Sequence, residues 1–170
     1  MLSQMLSSAG ASIALHLPEA AATARLGAAL APGLAGGMVI ALRGDLGTGK
    51  TTLVRGVLRG RGWNGPVKSP TYTLVEHYEF SSLYFYHFDF YRFADPGEWE
   101  TAGLAECFRD DSVCLIEWPE RVAEWLPTAD LEITLTHAAA PDGGRDAVLS
   151  ARTAAGSRCL AAIQALPTAR

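Results

Sequence analysis

The chain has 170 residues, a formal net charge of −4 and an isoelectric point of about 5.5, a balance that does not favour direct binding to nucleic acid. Its composition is that of a globular protein, and we expect a single domain at residues 11–170 after a flexible tail at residues 1–10. No apolar run could span a membrane and no secretory signal is recognisable, so a cytoplasmic protein is expected.

Cysteine and histidine do not indicate a metal site. The chain has three cysteines, Cys107, Cys114 and Cys159, which cannot all pair with one another and lack the close spacing of a metal or redox motif. We therefore expect free thiols that pack as small apolar residues. The four histidines show no metal-ligand spacing either.

Hydrophobic patterns predict strands and helices that alternate along the chain. Strands are predicted at residues 12–18, 38–44, 71–80, 83–93, 113–117, 130–138 and 145–153. Helices are predicted at residues 18–34, 50–62, 95–108, 119–126 and 157–166. Short turns at Ser81–Ser82 and at residues 140–144 predict two hairpins. The expected fold is α/β, a three-layer sandwich with a mostly parallel central sheet plus antiparallel hairpins.

The stretch GDLGTGKT, Gly44–Thr51, fits the phosphate-loop pattern G-x-x-x-x-G-K-[ST] at every fixed position. Gly47 and Gly49 can adopt backbone angles that are closed to other residues. The N–H groups of these glycines, of Thr48 and of the next two residues can then surround an anion at the positive end of the helix dipole. A glycine-rich turn that only caps a helix is the alternative. The order of strand, loop, lysine, hydroxyl and helix favours a nucleotide site in a P-loop NTPase-like fold.

Three side chains at the end of this loop have expected contacts with a nucleotide. Lys50 supplies charge to the β- and γ-phosphates, Thr51 supplies a hydroxyl ligand to Mg²⁺, and Thr52 reaches the α-phosphate. Because Asn64 is the only asparagine, a guanine-reading NKxD motif is excluded and adenine is the expected base. The expected ligands are Mg²⁺ with ATP or ADP.

Two carboxylates follow apolar runs, Asp89 after FYHF and Glu117 after VCLI. The carboxyl ends of neighbouring strands form the ligand edge of such a sheet, where acids hold the metal and orient the attacking water. The alternatives are an ion pair of Asp89 with Arg92 and a cap by Glu117 for a helix near Pro119. The nearby phosphate loop favours the roles in metal binding and catalysis.

Two further features leave a functional and a structural interpretation open. Trp118 can pack against the nucleotide base or belong to the core. The stretch KSPTYT, Lys68–Thr73, can be a mobile loop in which Thr71 senses a γ-phosphate, or a plain Ser-Pro turn.

Four stretches, taken in order, resemble the TsaE family (formerly YjeE), the small bacterial P-loop ATPases of tRNA threonylcarbamoyladenosine biosynthesis. They are GDLGTGKTTLVRG, VKSPTYTLVEHY, YHFDFYRFADPGEWE and CLIEWPER. The resemblance extends over residues 17–135 and is loose beyond Thr136. It implies slow ATP hydrolysis within a complex with the TsaB–TsaD pair, which transfers threonylcarbamoyl to the adenosine at position 37 of tRNA. The chain itself would contact tRNA only indirectly and no membrane, and weak self-association stays open.

The resemblance also implies roles for individual residues. It assigns Mg²⁺ binding to Thr51 and Glu117, catalysis to Asp89 and a place near the nucleotide to Trp118. Residues 69–73 would act as a switch.

Within that segment we name Ser69 and Thr71 as the switch residues. By the same resemblance, Thr23 in the first helix and Arg145 in the late hairpin are candidates for contact with the base. Two other functions are compatible with a phosphate loop: a small-molecule kinase, and a nucleotide-gated scaffold without essential hydrolysis.

Overall fold

A computed structural model describes residues 10–139, 141 and 143–164 of the chain. The predicted tail lies outside the described residues except for Gly10, and so does the end of the predicted last helix at residues 165–166. Within the described ranges, none of the helices has the length and apolar character needed to cross a membrane.

In the described part of the chain, seven strands form one sheet, flanked by four helices. The strands are β1 Ser12–Leu17, β2 Val39–Arg43, β3 Val75–Glu79, β4 Tyr84–Asp89, β5 Ser112–Glu117, β6 Leu131–His137 and β7 Arg145–Ala151. The helices are α1 Ala20–Leu30, α2 Lys50–Gly60, α3 Gly97–Thr101 and α4 Ala154–Gln164. Single 3-10 turns lie at Ala31–Gly33, Leu104–Cys107 and Pro119–Arg121. Across the sheet the order is β1-β7-β6-β2-β5-β4-β3.

The sheet as a whole is mixed, with a parallel centre. The four central strands β6, β2, β5 and β4 run parallel, whereas the pairs β1–β7, β7–β6 and β4–β3 are antiparallel. Both predicted hairpins, β3–β4 and β6–β7, are confirmed. The predicted parallel centre and antiparallel hairpins are thus present, whereas the antiparallel pairing of β1 with β7 was not predicted.

Helices cover one face of the sheet fully and the other only in part. On the first face, α1, α2 and α4 bury a core in which Leu53 and Val57 of α2 join Ile40 and Leu42 of β2. On the second face, an aromatic cluster around Phe88 lies beside β4 and β5. The alternation of side chains along each strand separates these two cores.

The predicted three-layer arrangement therefore holds for only half of the sheet. On the second face of β1 and β7, Val148 is 43% exposed and the His16–Asp146 pair is exposed as well. Among the described residues no helix covers this half. Apart from Val148, the outward positions there carry polar or small side chains, which need no apolar cover.

Helices α1 and α2 approach each other closely through small residues. A Cβ atom added at Gly27 would lie 2.2 Å from the backbone oxygen of Leu53, and one added at Gly56 would lie 2.1 Å from that of Ala24. The alanine-rich composition of α1 thus serves helix packing. Because α2 begins at the phosphate loop, this contact also fixes the position of the loop.

The aromatic stretch His87–Phe93 is strand only in its first half. β4 ends at Asp89, whereas the predicted strand continued to residue 93. The chain turns because the N–H of Tyr91 donates to the carboxylate of Asp89 at 2.9 Å and the N–H of Phe93 donates to the carbonyl of Phe90 at 3.1 Å. A side chain of the strand end thus terminates the strand.

Two predicted helices are interrupted or reduced to a single turn. The helix predicted at 95–108 is divided by Gly103, which has a φ of 63° and separates α3 from a 3-10 turn. The helix predicted at 119–126 is reduced to the turn Pro119–Arg121. Trp118, at its start, is in the left-handed region with a φ of 58°, which prevents continuation from β5 into an α-helix.

Candidate functional site

A cleft of about 270 Å³ opens at the carboxyl ends of β2, β4 and β5. Every predicted site residue lines this cleft except Thr23 and Thr48. The parallel centre of the sheet accounts for this convergence, because it brings the loops after three strands to one edge. Residues far apart in sequence therefore form one site.

The phosphate loop has the backbone geometry that its glycines predict. Gly47 has a φ of 77° and Gly49 a φ of 100°, and α2 begins directly afterwards at Lys50. Thr48 is buried, and its hydroxyl donates to the carbonyl of Asp45 at 2.8 Å. The Thr48 side chain therefore holds the turn of the loop closed and does not face the cleft.

The ammonium group of Lys50 is folded back onto its own loop. It donates to the carbonyls of Gly44 and, at 2.9 Å, of Asp45, and it lies 4.4 Å from the ring centre of Trp118. Burial lowers the pKa of Lys50, and the nearby carboxylates, Glu117 foremost, act in the opposite direction. Anionic oxygens entering the cleft would be stronger partners for this group than neutral carbonyls.

Thr51 and Glu117 form the oxygen pair expected at a magnesium site. The hydroxyl of Thr51 donates to Oε1 of Glu117 at 2.7 Å, and both side chains line the cleft. Magnesium is commonly held by one or two protein oxygens together with waters and phosphates. Among the described residues no group of three or more His, Cys, Asp or Glu side chains could hold a metal ion. A magnesium ion at the Thr51–Glu117 pair would therefore need its other ligands from the nucleotide and solvent.

Asp89 is 5% exposed and accepts two hydrogen bonds. The N–H of Tyr91 donates to Oδ1 at 2.9 Å, and the hydroxyl of Thr71 contacts Oδ2 at 3.1 Å. The hydroxyls of Thr71 and Ser69 are 2.7 Å apart. The predicted switch segment is thus bonded directly to the predicted catalytic carboxylate.

The structural alternatives for the two acids were an ion pair of Asp89 with Arg92 and a helix cap by Glu117, and neither is present among the described residues. Within the described residues Asp89 has no ion pair with Arg92, which instead lies 4.8 Å from the ring centre of Tyr72. The carboxylate of Glu117 bonds to side chains, and the turn that begins at Pro119 has no side-chain cap. Both acids face the cleft.

The register of the sheet places the acids side by side. Asp89 pairs with Glu117 across the parallel strands β4 and β5, and both side chains lie on the face that α2 covers. Adjacent strands are about 4.8 Å apart, so two carboxylates in this position repel each other unless cations or donors compensate. Lys50 is one such cation.

His87 is a site residue that sequence reasoning missed. It is fully buried, and its Nε2 lies 2.8 Å from Oε1 of Glu117. The spacing of the four histidines along the chain does not indicate this contact. The available signal was its position two residues before Asp89, which puts both side chains on the same face of a strand.

The two predicted base contacts differ in burial, because Arg145 reaches the cleft and Thr23 does not. Arg145 lines the cleft, where its Nε would be 3.1 Å from a Cβ atom at Gly49, and its Nη1 lies 3.4 Å from the hydroxyl of Thr23. Thr23 is fully buried behind this guanidinium. Arg145 therefore lies at the site, whereas Thr23 contacts only Arg145 there.

Comparison with known proteins gives a consistent result. The sequence model of the family described as "Threonylcarbamoyl adenosine biosynthesis protein TsaE" matches residues 17–146. A Haemophilus influenzae protein named tRNA threonylcarbamoyladenosine biosynthesis protein TsaE is 47% identical over 125 residues, which are 74% of this chain and 77% of that protein. A Bacillus subtilis protein of the same name is 42% identical over 120 residues, 71% of this chain and 73% of its own length.

The fold is also similar to a solved structure. The crystal structure of Bacillus subtilis YdiB superposes with a TM-score of 0.67 at 29% sequence identity, and the match covers 96% of each chain. The similarity therefore includes the late hairpin and the last helix, where the sequence resemblance is loose.

Proposed function

The chain belongs to the TsaE family, and we propose that it is the ATP-binding and ATP-hydrolysing component of the machinery that forms threonylcarbamoyladenosine in tRNA. The observation that carries the proposal is the cleft itself. It joins a phosphate loop, a Thr51–Glu117 oxygen pair and the carboxylate of Asp89 in one place. The names of the relatives supply the pathway.

Binding of ATP would use the loop and its lysine. The backbone N–H groups at the start of α2 would point to the phosphates, and Lys50 would exchange its carbonyl partners for β- and γ-phosphate oxygens. Thr51 and Glu117, which are hydrogen-bonded to each other, would hold Mg²⁺. The metal neutralises charge on the phosphate oxygens when it is bound.

Hydrolysis would depend on Asp89. Its carboxylate lines the cleft and would orient the attacking water and accept its proton. Thr71, which bonds to Asp89, would couple the switch segment to the state of the γ-phosphate. Such a site depends on positioning and electrostatic stabilisation, and not on a covalent intermediate.

We further propose that the TsaB–TsaD complex is the partner and that this complex carries out the chemistry on tRNA. The net charge of −4 agrees with a protein that reaches tRNA only through its partners. ATP turnover in this chain would reset the complex after each modification.

A reconstituted modification assay tests the proposal. With TsaB–TsaD, tRNA and an activated threonylcarbamoyl donor, repeated modification should require both ATP and this chain. The Lys50→Ala variant should not support it. Full modification by a hydrolysis-deficient Asp89→Asn variant would instead favour a nucleotide-gated scaffold, and phosphate transfer to a metabolite would favour a kinase.

A further inference from the structure

His87 is a buried polar group that the proposed function does not use. It lies on β4, where it pairs with Leu115 of β5. Because His87 precedes Asp89 by two residues, its side chain lies on the same face of the sheet as the paired acids Asp89 and Glu117. Its side chain is fully buried, and its Nε2 is 2.8 Å from Oε1 of Glu117. Because a carboxylate accepts this bond, the hydrogen is assigned to Nε2.

We propose that His87 is a positioning residue that orients the carboxylate of Glu117 for the metal. This inference rests on the proposed function, in which Glu117 and Thr51 hold Mg²⁺. Both hydrogen bonds of the carboxylate, from His87 and from Thr51, go to Oε1. Among the described residues Oε2 has no hydrogen-bond partner, and the Glu117 side chain lines the cleft.

The two donors act together to fix the direction of a flexible side chain. A glutamate with one donor can rotate about that bond, whereas donors from α2 and from β4 meet Oε1 on two sides. The donor from His87 comes from the interior of the sheet. It also offsets the repulsion between Glu117 and the adjacent Asp89 without taking up a place in the cleft. Polar groups behind a metal ligand commonly have this function.

The unpaired nitrogen of His87 argues against a purely structural role. Nδ1 is buried and has no hydrogen-bond partner in the described part of the chain. Burial of an unpaired polar atom is unfavourable, so an apolar side chain would fill this position at a lower cost in free energy. An apolar side chain could not supply the donor to Glu117.

Two amide substitutions separate the two nitrogens of the ring. The side-chain amide of His87→Gln can place its NH₂ group near the position of Nε2, whereas that of His87→Asn reaches only the position of Nδ1. The experiment measures binding of Mn²⁺ to the complex of each variant with ADP by electron paramagnetic resonance. ADP binding in the presence of EDTA and the melting temperature of the ligand-free protein serve as controls.

We expect His87→Asn to weaken Mn²⁺ binding by about 10- to 100-fold, with little change in metal-free ADP binding, and His87→Gln to restore most of the loss. If His87→Asn does not fold, His87→Leu takes its place. Equal Mn²⁺ affinity in wild type and His87→Asn would overturn the inference, as would failure of His87→Gln to restore binding. Absence of metal-dependent ADP binding in the wild type would instead refute the proposed function itself.

Discussion

At the scale of single residues, the two hydrogen bonds that Asp89 accepts determine which substitution can test its role in catalysis. Its oxygens accept from the N–H of Tyr91 and from the hydroxyl of Thr71, so the carboxylate is held in place by groups outside the phosphate loop. A change that preserves its shape should therefore leave the nucleotide-binding surface intact. The charge of the carboxylate is the property that hydrolysis needs.

We predict that Asp89→Asn binds ATP nearly as tightly as the wild type and hydrolyses it about 100-fold or more slowly, the usual contribution of a general base. The asparagine NH₂ group cannot accept from Thr71, so a loss of about 1 kcal/mol in the free energy of unfolding is also expected. Single-turnover hydrolysis and equilibrium binding of ATP measure the two properties separately. Loss of binding together with unfolding would show that Asp89 is structural.

The cysteines give a second prediction at this scale. Burial raises the pKa of Cys114 to about 12 and that of Cys159 to about 11, and it also raises the pKa of Cys107. Only Cys107 is partly exposed. Because the two buried thiols stay protonated and covered at pH 8, we expect Ellman's reagent to react slowly, at Cys107 alone, in the folded protein. All three thiols should react in denaturant, and rapid reaction of two or more in the folded protein would contradict these contacts.

The same shifts fix the direction of the pH dependence of stability. The folded state holds the thiol protons more tightly than the unfolded state, whose thiols titrate near 9.0. The thiols thus leave stability unchanged below about pH 9 and reduce it as the pH rises towards 11. Denaturant unfolding at pH 8 and pH 10.5 measures this loss. The Cys159→Ala variant should lose less stability than the wild type between these two pH values. An equal loss in both proteins would contradict the prediction.

At the scale of elements, the seam between α1 and α2 connects core packing to the site. Gly56 lies against the backbone of Ala24, and α2 continues directly from the phosphate loop. A side chain at this seam must push the two helices apart. The displacement would move the N-terminus of α2, where the phosphates are expected.

We predict that Gly56→Ala lowers the free energy of unfolding by about 1–3 kcal/mol, the usual cost of overpacking, although alanine favours helix formation. Arg55→Ala is the matched control, because Arg55 is exposed on the same helix and should tolerate the change within about 0.5 kcal/mol. Chemical denaturation of the two variants gives the comparison. A Gly56→Ala protein as stable as the wild type would show that the contact between α1 and α2 accommodates a methyl group without loss of stability.

The elements also show where sequence reasoning succeeds. The phosphate loop was predictable because its glycines and lysine follow a local pattern, and the positive φ values of Gly47 and Gly49 confirm the expected geometry. Glu117 was predictable as a strand end because it follows an apolar run, whereas the strand that ends at Asp89 was predicted to continue to residue 93. These features depend on neighbours in sequence.

Long-range features were not predictable in the same way. The pairing of Asp89 with Glu117 depends on the register of two strands that a single sequence does not specify, and the role of His87 depends on that register. The open second face of β1 and β7 depends on where later helices pack. The early end of the aromatic strand results from a side-chain bond to Tyr91 that hydrophobic periodicity does not encode.

At the scale of the whole molecule, one edge of a mixed sheet gathers the loop, the acids and the switch segment, while the hairpins and α4 complete the core around them. The membership in the TsaE family supplies the pathway, and the cleft supplies the proposed chemistry. The central claim is that this cleft hydrolyses ATP.

Release of phosphate from Mg²⁺–ATP by the purified chain, with and without TsaB–TsaD, tests this claim most directly. We predict slow release by the chain alone, stimulation by the partner complex, and a loss of more than tenfold, which corresponds to about 1.4 kcal/mol of transition-state stabilisation, in the Lys50→Ala variant. A Lys50→Ala protein that releases phosphate at the rate of the wild type, in preparations free of other ATPases, would contradict the account.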